Sequence, residues 1–201
     1  KRRLEKALDA VPNVKADIRW RPYQLDSTLP PEGKDRKQYL EDKFGGPERA
    51  KEIYSSINQA GLEDGIDFKF EDIAVSPNTL DAHRLIRWAH SAGEGIQNAL
   101  VDRLFRMFFM EGRNIGDHAV LLEAAGEVGM DTAIAKDLFA GVQDKDAVQT
   151  EIGQAASMGI RGVPCFIIDN KYAVMGAQDS ETLATALKDI AAGTAETADP
   201  V

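Results

Sequence analysis

Apolar residues recur along this chain with two periods, and the change of period marks out its elements. Leu4, Ala7, Leu8 and Val11 share one helical face, which Pro12 closes. Ala16–Tyr23 alternates through Ile18, Trp20 and Pro22, which predicts a strand ending at Pro22. A proline-containing loop, Leu25–Gly33, follows. From Asp35 to about Gln149 the pattern is helical, with breaks at Gly45-Gly46-Pro47, Gly61–Phe70, Ser76-Pro77, Gly93-Glu94-Gly95, Gly112–Asp117, Gly129-Met130-Asp131 and Gly141. The most apolar helix is Val101–Met110, whose Leu104, Phe105, Phe108 and Phe109 are expected to centre a helical core. Asp117–Val128 and Thr132–Phe139 are expected beside it, and a further helix, Thr150–Met158, leads from the block back to the Val-Pro strand.

The apolar runs Cys165–Ile168 and Tyr172–Met175 read as two strands, and the short polar turn Asp169-Asn170-Lys171 makes them a hairpin. Leu183, Ala186, Leu187 and Ile190 then recur at i, i+3, i+4 and i+7, with Asp179 or Ser180 as the N-cap. The order is helix, strand, long helical block, helix, strand, strand, helix. It predicts an α/β fold with an all-helical inserted subdomain. The expected domains are residues 1–28 with 150–193, a helical insertion at 29–149, and a flexible tail at 194–201.

Composition narrows the partners. A net charge of -9 over 201 residues argues against nucleic acid and anionic membrane surfaces, which favour basic patches. No apolar run approaches the ~20 residues that span a bilayer. One cysteine excludes an internal disulfide framework, and three separated histidines add no zinc set. No metal or tightly bound cofactor is expected. The chain begins inside a helix, so it is read as lacking its native N-terminus.

The densest local signal is Gly159-Ile160-Arg161-Gly162-Val163-Pro164-Cys165-Phe166. Proline lacks a backbone donor, so Pro164 belongs at the first residue of its strand. An X-Pro bond is also where a cis peptide is cheap, at roughly 0.5–1 kcal/mol. With the bond cis, the backbone of Val163 would face outward, open to an extended peptide or a thiol ligand.

Taken with its neighbours, this stretch resembles the DsbA-like thioredoxin-fold oxidoreductases, particularly the FrnE-like subgroup related to 2-hydroxychromene-2-carboxylate isomerase and kappa-class glutathione transferase. Four segments carry the resemblance: Lys1–Leu8, Trp20-Arg21-Pro22-Tyr23-Gln24-Leu25, Pro77–Leu85, and Gly162-Val163-Pro164 with Gly176-Ala177-Gln178. It implies a thioredoxin-like fold and thiol–disulfide exchange on protein or small-molecule thiols and disulfides, in a cytoplasmic monomer or homodimer. It implies that Lys1–Leu8 follows a Cys-x-x-Cys motif lying upstream of Lys1, with Val163-Pro164 as the loop that holds substrate. In the glutathione-using relatives, glutathione is a co-substrate and a serine can replace the pair. A glutathione-dependent isomerase or transferase and a redox-inactive binding module therefore stand as alternatives.

Single residues divide between chemistry and structure. Cys165 is a redox thiol or a small strand residue, and the family's nucleophile does not map onto it. His83, with His90 on the same helix flank, either faces a substrate cleft or bonds a backbone carbonyl at the core's boundary. His118 is expected to be solvated. Asn78 and Thr79 open the helix of His83 as a cap or as ligand groups. Asp179 and Ser180, after Gln178, open the last helix, where an anion such as a glutathione carboxylate could sit or a cap alone suffice. Trp20 and Trp88 are read as packing residues.

Overall fold

The computed structural model describes residues 1–195, and the expected tail lies outside the described residues from position 196 onward. The chain divides into two compact units, residues 1–18 with the chain from Gly153 onward, and Arg19–Ile152.

The first unit begins with α1 (Arg2–Asp9), whose Ala7 is fully buried. Ala7 and Val11 meet Leu183 and Ala184 of α9 (Ser180–Ala192), with Leu4, Val14, Phe166, Val174 and Leu187 packed around them. Phe166 and Val174 come from β3 (Cys165–Ile168) and β4 (Tyr172–Met175), which pair antiparallel from Cys165↔Met175 to Ile168↔Tyr172. They face each other across the ladder on the side turned to the helices. The predicted hairpin is present. Asp169 and Asn170 both take left-handed φ, 53° and 54°, a conformation that asparagine and aspartate tolerate best among residues with a Cβ.

The predicted strand over 16–23 does not form: none of these residues belongs to a ladder. A strand exists only by hydrogen bonding to a neighbour, and alternation supplies the faces but no partner. What holds this segment instead belongs to the second unit. The Gln97 side chain accepts the Trp20 N–H (3.0 Å) and donates to the Trp20 carbonyl (3.3 Å), while the Trp20 indole donates to Asn98. Trp20 and Gln97 both belong to the second compact unit, which starts at Arg19.

The second unit is helical: α2 (Arg36–Phe44), α3 (Pro47–Glu63), α4 (Leu80–Ala89), α5 (Ile96–Phe109), α6 (His118–Glu127), α7 (Thr132–Ala140) and the first part of α8 (Lys145–Ser157). Two-residue strands that periodicity did not reveal, β1 (Lys34–Asp35) and β2 (Val75–Ser76), form a short antiparallel ladder. The core lies where α4, α5, α6 and α7 meet, around Leu85, Leu100, Leu104, Met107, Leu121 and Phe139. Phe105 departs from expectation and is 44 % exposed. At ~100° per residue it turns off the stripe formed by Leu100, Val101, Leu104, Met107 and Phe108, and its ring meets Trp20 edge-on.

The central buried charge is Arg84, at 0 % exposure. Its guanidinium donates to the carbonyls of Gln143 (2.7 Å), Leu138 (2.8 Å) and Gly141 (3.0 Å) and to Asp81 (2.8 Å). It also lies over the rings of Trp88 and Phe139. Arg84 thus caps the C-terminal carbonyls of α7 from α4. Among the described residues, no helix is long and apolar enough to cross a membrane.

Candidate functional site

In the first unit the hairpin ends at an open backbone edge. The pairing extends one step beyond Cys165↔Met175, with the Gly176 N–H donating to the Pro164 carbonyl at 2.8 Å. The Val163–Pro164 peptide is cis. Val163, one residue farther out, is 50 % exposed, and among the described residues neither its N–H nor its C=O has a hydrogen-bond partner. Such a residue at the end of a sheet can accept an extended chain by adding main-chain bonds. Gly176, opposite, has φ of 80°, which a residue with a Cβ adopts only with strain. Gly162 has open space where a Cβ would stand and no left-handed φ, so its place in the motif is not a steric demand of the fold.

Two helix N-termini belong to the same unit. α1 starts without a side-chain cap bond, and its first-turn N–H groups have no partner within the helix. Arg3 of α1 donates to the Ala177 carbonyl at 2.8 Å, tying this helix to the 176–178 turn. The α9 end is different, because Asp179 accepts from the Thr182 N–H (2.7 Å) and hydroxyl (3.0 Å). The Thr182 backbone N–H is the main reason that the Asp179 carboxyl lies below its ordinary range. Asp179, not Ser180, is the cap, and Ser180 is the first helical residue. An ionised aspartate at that terminus opposes a second carboxylate there.

Cys165 is half-buried in β3. Burial pushes its thiol up, so it stays protonated at neutral pH. Nucleophilic thiols are lowered by positive charge or a helix N-terminus. Cys165 has the environment of a structural cysteine.

The other two candidates, Asn78 and His83, fall in the second unit. Asn78 is fully engaged: Oδ1 accepts from the Leu80 N–H (3.0 Å) and from Gln24 (3.2 Å), and Nδ2 donates to the Leu29 carbonyl (2.7 Å). It caps α4, while Thr79 makes no side-chain cap bond. His83 lies with Nε2 3.0 Å from the Tyr23 carbonyl, which can only accept, so Nε2 donates. Desolvation lowers the His83 pKa to about 4 against that carbonyl's opposing pull, leaving a neutral ring at pH 7. Both side chains hold the 23–29 loop onto α4. The structure thus gathers Gly162, Val163, Pro164, Asp179 and Ser180 into one unit, and Asn78 and His83 into the other.

His118 is solvent-exposed, as expected, but it is also tied down. Its Nε2 lies 2.6 Å from Asp81 Oδ2, and its ring stacks on Phe139 at 4.4 Å. Burial raises the Asp81 carboxyl, but its bonds to His118 and Arg84 outweigh that and leave it low. Pattern reading missed this because Asp81 and His118 are 37 residues apart. Among the described residues, no group of three His, Cys, Asp or Glu could hold a metal ion.

A model of the DSBA-like thioredoxin domain matches residues 1–188. The chain belongs to this family. The DsbA-like resemblance read from four short segments therefore holds at family level, and with it the thioredoxin-like fold with a helical insertion. The "probable DsbA oxidoreductase SCO1869" of Streptomyces coelicolor has a crystal structure similar to this one, with a TM-score of 0.85 and 28% identity. That match covers 100% of this chain and 86% of the other. A disulfide isomerase candidate from Nitrosomonas europaea shares the fold at a TM-score of 0.63 and 16% identity, covering 74% of this chain and 76% of its own. The "Uncharacterized protein YwbO" of Bacillus subtilis (strain 168) is 25% identical over 182 residues, 90% of this chain and 86% of that one.

Proposed function

We propose that this DSBA-like protein is a thiol–disulfide oxidoreductase of the FrnE-like type, acting on protein or small-molecule thiols and disulfides in the cytoplasm. The observation that carries the reading is the unpaired backbone of exposed Val163 at the end of the β3–β4 ladder. The nucleophile in this reading is the first cysteine of a pair upstream of Lys1, on the N-terminal side of α1, where a helix dipole and first-turn N–H groups favour a thiolate. That thiolate attacks one sulfur of the substrate disulfide, forming a mixed disulfide and releasing the other sulfur as a thiolate. The second cysteine of the pair attacks the mixed bond, so the pair ends oxidised and the substrate reduced. Val163 holds the substrate chain in place by main-chain bonds, and Cys165 stays out of the exchange.

Reduction of insulin by dithiothreitol, followed by turbidity with the full-length native protein, tests this. Acceleration that is abolished when the first cysteine of the pair is replaced supports it. An intact pair without acceleration overturns it. Saturable glutathione binding with no cysteine pair would instead favour the isomerase or transferase reading, which the anionic Asp179 cap argues against. Inertness in both assays would leave a binding module.

A further inference from the structure

The second unit carries an arginine-lined cleft that disulfide exchange does not use. It is a small, solvent-open cleft of about 80 Å³ between Arg19, Arg21, Arg87, His90 and Glu151, with Trp20, Pro22 and Gln97 completing its wall. Two of these guanidiniums, Arg21 and Arg87, converge on the single carboxylate of Glu151.

Its construction follows from the bonds that hold Trp20. Gln97 is buried and binds both the N–H and the C=O of Trp20, which fixes the strip against the start of α5. The indole is held by Asn98 and Phe105. Where backbone is extended, alternate residues point the same way, and Arg19 and Arg21 both line the cleft. From α4, Arg87 pairs with Glu151 and reaches Asp144 at 3.4 Å, while Arg21 Nε lies 3.1 Å from the other oxygen of Glu151. One carboxylate is therefore shared by two guanidiniums. Among the described residues, both Nη groups of Arg21 are without a partner, and its side chain is 66 % exposed.

The geometry points to a binding site for a small oxyanion, a phosphate or carboxylate group, held between Arg21 and Arg87. A guanidinium fork matches two oxygens of either group, and leftover donors beside a partly apolar wall strengthen such a bond. Glu151 positions the two arginines and also competes with the ligand. A merely structural ion pair and an anion site therefore predict opposite effects when its charge is removed. The cleft's small size and the chain's net charge of -9 fit a small molecule rather than nucleic acid.

The test is an NMR titration of the full chain with inorganic phosphate and, separately, acetate at constant ionic strength, following the Trp20 indole signal. Saturable binding in the low-millimolar range is expected for at least one ion, and the better ion identifies the headgroup. Arg21→Gln and Arg87→Gln should each weaken it about five-fold, the worth of one exposed charge-assisted contact. Glu151→Gln should tighten it by a similar factor, since a repelling charge is removed. Non-saturating shifts, an affinity indifferent to both arginine variants, or weaker binding in Glu151→Gln would each overturn the assignment. Circular dichroism melts confirm that the variants are folded.

Discussion

Replacing Arg84 by methionine keeps most of the side chain's volume and deletes its charge. The structure sets the cost. Three carbonyls, those of Leu138, Gly141 and Gln143, lose their donor, and Asp81 loses one of its two partners. A buried polar group left without its partner costs about 1–3 kcal/mol, and breaking a buried ion pair about 3–5 kcal/mol. These terms overlap. Some carbonyls will also find water, so we expect a net loss of about 4 kcal/mol, a large part of the ~5–15 kcal/mol that holds a domain folded. Lysine at this position should recover only part of it, because an ammonium cannot reach three carbonyls with a planar fork. Urea unfolding monitored by tryptophan fluorescence measures the change, since Trp88 lies against Arg84. Arg113→Met is the control, as its exposed pair with Glu123 is screened by solvent and should contribute little. If Arg84→Met cost no more than that control, the capping role of Arg84 would be refuted.

Three further outcomes are expected. His83 titrates near 4 when folded and near its ordinary 6.5 when unfolded, so the unfolded chain binds the extra proton between those values. Stability from this residue is complete above pH 6.5 and falls toward pH 4 by up to ~3 kcal/mol; His83→Gln should flatten that window in pH-dependent urea melts. Gly176→Ala should cost about 1 kcal/mol because of its positive φ, whereas Gly162→Ala should be nearly neutral, both read as a change in unfolding midpoint. Cys165→Ala should leave disulfide exchange intact, and Cys165 should react with iodoacetamide more slowly than a free thiol at pH 7; loss of exchange in the variant would contradict its structural role.

Elements defined by local pattern could be read from the chain. The hairpin follows from two short apolar runs around Asp169-Asn170, and α1 and α9 follow from single apolar stripes. Long-range partners could not be read. Whether Ala16–Tyr23 becomes a strand depends on a neighbour to bond with, and the side chain that binds Trp20 lies 77 residues away. Phe105 looked like core because it is aromatic, but helical rotation decides burial and Met107 takes the inward place. The Val163-Pro164 edge was legible because proline ends a ladder wherever it falls. The Asp81–Arg84–His118 network was not, although Asp81 and Arg84 stand i, i+3 on one helix and were half of the signal. Arg19 and Arg21 were visible only as the unread side of the Ile18, Trp20, Pro22 alternation.

The central claim is that Val163 docks substrate through its backbone. Steady-state insulin reduction by full-length protein carrying Val163→Pro, compared with Val163→Ala, tests it most directly. Proline removes the N–H donor while alanine removes only side-chain surface, and one main-chain bond is worth ~1 kcal/mol, or about five-fold. The account predicts that kcat/KM falls at least that much in the proline variant, mainly through KM, and stays near wild type in the alanine variant. Equal activity of the two variants would contradict it.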